Sequence, residues 1–76
     1  MQDAEVGLIW DTFSSVTPYL VYPQEFRDLL EKLLGEKTDI KAFVEQLGQA
    51  ISTEADPTRK TDGQIFINEL RRKFSM

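Results

Sequence analysis

The amino-acid sequence predicts an all-α domain of four short helices. Apolar residues recur three and four places apart in four successive segments, and proline, glycine or polar stretches separate those segments. Size supplies the third observation. A chain of 76 residues supports one core, and no helix this short is stable in water unless its apolar stripe is buried against the others.

The first helix is predicted over 4–16, with Val6, Ile9, Trp10, Phe13 and Val16 on one stripe and Asp3 placed to cap it. Pro18 ends it, because the residue before a proline avoids the helical region. A second helix begins near Pro23, tolerated in a first turn, and carries Phe26, Leu29, Leu30, Leu33 and Leu34 up to a stop at Gly35. Thr38 or Asp39 caps the third, whose apolar face is Ile40, Phe43, Val44, Leu47 and Ile51. Gly48 weakens its last turn by about 1 kcal/mol relative to alanine. The stretch STEADPTRKTDG, residues 52–63, is polar, contains Pro57 and Gly63, and reads as a loop. A fourth helix follows with Ile67, Leu70 and Phe74 on one side.

With 41% hydrophobic residues the chain is apolar enough to fold. It has no cysteine, which excludes disulfides and thiolate zinc sites, and no histidine, the commonest general base and metal ligand. A net charge of −4 disfavours non-specific nucleic-acid binding and favours basic partners. Arg71, Arg72 and Lys73 form the basic cluster, read either as the last turn of a helix, where cations suit the macrodipole, or as a phosphate patch. No apolar run approaches the ~18 residues of a membrane span. The N-terminus lacks the regions of a signal peptide, and Gln2 stands where myristoylation needs glycine, so a cytoplasmic location is expected. Carboxylates are plentiful but lie beside Lys or Arg in an exposed helical pattern, without a phosphate loop or nucleophile motif. No enzyme is expected.

Within TDGQIFINEL, residues 61–70, Thr61 and Gln64 match a capping box. The segment also belongs to a pattern that occurs twice. LVYPQEFRDLLEKL has Val21, then Glu25 four residues on, then Phe26 and a helix; QIFINELRRKF has Ile65, then Glu69, then Leu70 and a helix. That doubled plan resembles the exits of EF-hand loops, in which the eighth residue pairs with its twin and the twelfth is a calcium-gripping glutamate. The resemblance implies a single calmodulin-like lobe over 1–76, a pair of degenerate EF-hands at about 4–34 and 39–74, with a minimal two-stranded ladder between Val21 and Ile65. The rest of each loop departs from the family. The second would place Lys60 at a ligand position, and the first would offer Val16, Pro18 and Tyr19 where oxygens and a glycine belong. No metal and no cofactor is therefore expected, and Asp62, Gly63, Glu69 and Glu25 are read as vestigial loop positions. A longer register from Asp56 to Glu69, with Gln64 assisting, is the calcium-binding alternative.

The small light chains of class I myosins are the most similar functional precedent within that family. The resemblance implies a calcium-independent subunit that binds a basic amphipathic helix, an IQ motif of a myosin neck. Candidate groove residues are Phe13, Phe26, Leu30, Leu33, Phe43, Leu47, Leu70 and Phe74, with the lobe's own core as the competing use. Asp28, Glu31, Glu36, Asp39 and Glu45 are the candidate acidic rim, or an ordinary solvated face. Two other functions remain open: a calcium-regulated EF-hand sensor, and a non-EF-hand acidic helical adaptor or immunity protein that recognises a partner surface.

Overall fold

A computed structural model describes residues 3–36 and 39–74. Four helices follow one another: α1 (Asp3–Val16), α2 (Pro23–Gly35), α3 (Ile40–Thr53) and α4 (Pro57–Phe74), with a single 3-10 turn, Thr17–Tyr19, closing α1. The all-α class stands. Among the described residues there is no strand, so the ladder expected between the loop exits does not form. None of the helices is long and apolar enough to cross a membrane.

The boundaries have local causes. Pro18 lies in the 3-10 turn that ends α1, and the Leu20 N–H closes it on the Thr17 carbonyl at 3.1 Å. Pro23 opens α2, where its missing N–H costs nothing. Asp39 caps α3, accepting the Ala42 N–H at 2.7 Å; Thr38 lies outside the described residues. For α4 the cap is Asp56. Its Oδ1 accepts the Thr58 N–H at 2.8 Å and the Arg59 N–H at 3.3 Å, with Pro57 as the first helical residue.

That cap corrects the expected loop at 52–63, of which only the turn before Pro57 remains outside helices. Thr61 caps nothing; it lies inside α4 and donates to the Pro57 carbonyl at 2.9 Å. The physical reason is the character of the buried stripe. Asp62, Gly63, Phe66, Ile67 and Leu70 form one continuous helical face, but its first two members are not apolar. Hydrophobic periodicity therefore begins one turn or more after the helix does.

α4 is the element on which the others converge: it packs against α1, α2 and α3. Ile9, Leu30, Phe43, Leu47, Phe66 and Leu70 are fully enclosed, drawn from all four helices. An aromatic series runs through the core. Trp10 meets Phe13 edge-on at 5.9 Å, Phe13 stacks on Phe26 at 6.4 Å, and Phe26 tilts against Phe66 at 5.0 Å. The buried Thr12 hydroxyl is satisfied within its own helix, donating to the Leu8 carbonyl at 2.7 Å.

At Gly63 the Ile51 side chain of α3 packs directly onto the α4 backbone. A Cβ there would lie 2.5 Å from Ile51 Cγ1 and 2.9 Å from Cδ1. Alanine at an ordinary helix position gains about 1 kcal/mol over glycine. Here overpacking of about 1–3 kcal/mol opposes that gain. Gly63→Ala is expected to lower the denaturation midpoint in the native background. In an Ile51→Ala background, which removes both crowding atoms, the same change is expected to be neutral or stabilising, and a four-protein urea series reads the difference.

Candidate interaction surface

The turn between α1 and α2 is short, uncharged and fixed at both faces. Leu20 points inward and is buried, while its neighbours point out: Tyr19 is 72% exposed and Val21 62%. Tyr22, the residue before α2, is 38% exposed and offers that helix no side-chain cap. The restraint comes from forty residues away. Asp62 of α4, only 2% exposed, accepts the Val21 N–H on Oδ1 at 3.0 Å and the Tyr22 N–H on Oδ2 at 2.8 Å. Both oxygens of a buried carboxylate are thus used on backbone amides, the stronger, charge-assisted kind of bond. The carboxylate also lies at the N-terminus of α2, where negative charge suits the helix dipole.

Asp62 separates two concavities. On one side Tyr19 and Val21 face Pro57, Thr58, Thr61 and Ile65 of α4 across a shallow hollow of about 250 Å³. On the other lies a deeper cavity of about 190 Å³ between α2, α3 and α4. Phe26, Leu29, Ala50, Ile51 and Gly63 give it apolar walls, and the charged Glu25, Glu54 and Arg59 stand on its solvent side. Arg59 ties together two other residues that line this cavity, Glu25 and Tyr22. Its Nη2 donates to Glu25 Oε1 at 2.9 Å, and its guanidinium sits 5.4 Å from the centroid of the Tyr22 ring. Both partners of that ion pair are about half exposed, so it fixes orientation more than it adds stability.

Most of the expected groove residues are interior. Phe26, Leu30, Leu33, Phe43, Leu47 and Leu70 are buried in the core, and Phe13 and Phe74 are partly buried against it. The proposed acidic rim, Asp28, Glu31, Glu36, Asp39 and Glu45, is exposed on or beside α2 and α3, away from the two concavities. Val21 and Ile65 do border a common hollow, but Ile65 is helical and the two do not pair as strands.

The vestigial loop positions have other uses. Asp62 and Gly63 are buried within α4, and Glu25 pairs with Arg59. Glu69 pairs with Arg72 one turn on. The Arg72 hydrogen bond holds the Glu69 carboxyl below its ordinary value, helped by the charges of Arg72 and Lys73 and opposed by desolvation. Glu69 in turn raises the Arg72 guanidinium. What this surface pair contributes is present above the unfolded carboxyl's value and is lost as pH falls through the folded one. Among the described residues, no group of three or more acidic, histidine or cysteine side chains is placed to hold a metal.

Tyr19, Tyr22, Phe66 and the role of Asp62 were not legible as functional or structural signals from periodicity. One sequence signal points to the turn: residues 12–24, TFSSVTPYLVYPQ, carry no charge in a chain that is 29% charged.

The EF-hand reading fails on both structure and comparison. Positions 58–69, its second loop, lie within the unbroken helix α4, and neither an EF-hand nor a myosin light-chain family matches. The light-chain function and IQ-motif partner implied by that resemblance fall with it. No curated protein and no solved structure matches the chain. A family profile does match, over residues 10–75, from the middle of α1 through the end of α4; the protein belongs to the MJ1579 family.

Proposed function

We propose that this protein is a non-catalytic adaptor, a small helical module that recognises the surface of a partner protein through the α1–α2 turn and the first half of α4. One observation carries the reading: large apolar side chains at Tyr19 and Val21 are displayed to solvent from a backbone pinned by a buried carboxylate. Exposed aromatics on a preordered turn are the residues that dominate binding at protein interfaces, because little side-chain and loop freedom is lost on contact. A surface of this kind without function would be a liability.

Charge indicates the partner's sign. Residues 3–56 hold eleven carboxylates against four cations, whereas 57–74 hold five cations and two carboxylates. The overall net charge of −4 favours encounter with a basic partner at long range, while the contact region itself is apolar and nearly uncharged. An immunity-type or antitoxin-type inhibitor is one form such an adaptor could take.

A photo-crosslinking amino acid placed at position 19, and separately at Glu31, tests the reading in the producing cell. The expected result is one discrete protein adduct from position 19, lost when Val21→Ser is added, and none from position 31. Equal labelling from both positions, or no adduct from position 19, contradicts it.

A further inference from the structure

The cavity behind Tyr22 is not explained by packing alone. Its walls are apolar, yet it is neither filled by a side chain nor closed from solvent. Its volume, about 190 Å³, is well below the ~300–1,000 Å³ of ordinary cofactor and metabolite pockets. It is close to the ~150 Å³ apolar cavity that holds a benzene ring. A single large side chain is the natural occupant by size.

The charges on its solvent side are unequally satisfied. Glu25 and Arg59 neutralise each other at 2.9 Å. Glu54 accepts only the Asp56 N–H, at 3.1 Å, and among the described residues no cation lies within ion-pair distance of it. The opening is therefore apolar inside and anionic on one edge.

We infer that this cavity is the anchor pocket for one aromatic or aliphatic side chain of the partner, with a cationic group beside it meeting Glu54. The inference rests on the adaptor reading, and extends it by naming a second contact and its chemistry. Tyr19 and Val21 form the flat part of the surface; the cavity, on the other side of Asp62, supplies the concave part. Gly63 is integral to it, since a side chain there would push Ile51 out of its place in the wall.

Three small probes separate the contributions in a two-dimensional NMR titration of the whole protein. Phenethylammonium carries the ring and the cation, phenylacetate the ring and an anion, and methylammonium the cation alone. Phenethylammonium is expected to shift Leu29, Ala50 and Ile51 signals saturably, with a Kd on the order of 1–10 mM for so small a ligand. Phenylacetate is expected to bind about fivefold more weakly, the effect of one partly exposed ion pair. Methylammonium is expected to leave those signals in place. Glu54→Gln, which removes the charge and keeps an oxygen to accept the Asp56 N–H, is expected to remove the preference between the two aromatic probes without abolishing their binding.

Equal affinity for both aromatic probes in the native protein, shifts located elsewhere, or no shift at all overturns the inference. Its failure is distinct from failure of the adaptor reading. Silent probes with a position-19 adduct retained remove the pocket and leave the surface. Probe binding without any position-19 adduct retains the pocket's chemistry and overturns its role as a partner anchor.

Discussion

Asp62→Ala is expected to be the most disruptive single polar substitution in this protein, lowering stability by about 3 kcal/mol. Two charge-assisted hydrogen bonds are lost, each of a kind that contributes about 1.5–3 kcal/mol, and their effects are not fully additive because they share one side chain. The part-buried Val21 and Tyr22 amides then lose their protein partner. A domain of this size has roughly 4–11 kcal/mol of stability, so the loss is a large fraction of the whole. A fall in Tm of about 12–24 °C is the expected reading in thermal denaturation. Asp62→Asn separates charge from shape. The amide retains one acceptor but turns an N–H₂ toward the second backbone donor, so its cost is expected to approach that of alanine rather than that of the native residue. If asparagine instead melts with the native protein, the paired amide bonds contribute little.

Phe66→Ala is the second large effect, expected at about 3–5 kcal/mol. Phe66 is fully enclosed on α4 and touches Phe26 of α2 at 5.0 Å, so truncation opens a void where the helices converge. Against a total of roughly 4–11 kcal/mol, the variant is expected to be partly unfolded at room temperature. Phe66→Leu keeps much of the volume and should recover most of that loss. The measurement is the urea midpoint at constant m-value. A truncation costing under 1 kcal/mol would mean that the aromatic series is not the centre of the core.

The sequence disclosed the fold class and three helices because their apolar stripes are unbroken. Phe26, Leu30 and Leu33 on α2, and Phe43, Leu47 and Ile51 on α3, are spaced as helices require and are buried as that spacing implies. It concealed the start of α4 because that turn buries an aspartate and a glycine, which a hydrophobic pattern counts as solvent-facing. Asp56–Pro57 was the better signal there: a capping side chain followed by the residue suited to the first helical position. The misreading had a further consequence. Asp62-Gly63 with an acidic residue six places on imitates half of a calcium loop, whereas here Asp62 binds backbone and Gly63 permits Ile51 to approach.

The interaction surface was less legible than the fold for a different reason. Whether Tyr19 and Val21 face water depends on the inward turn of Leu20 and on a hydrogen-bonding partner forty residues away. Local sequence carries neither. The uncharged run over 12–24 marked the region without showing which of its residues would be displayed.

Amide hydrogen exchange at Val21 and Tyr22 tests most directly whether the recognition turn is held by α4. Both N–H groups are expected to exchange slowly in the native protein, on the scale of global unfolding, and to lose essentially all of that protection in Asp62→Asn, whereas the α3 core amides lose only the share set by the fall in global stability, about 3 kcal/mol. Fast exchange at both positions in the native protein would contradict the tether, and with it the claim that Tyr19 and Val21 are presented from a fixed backbone.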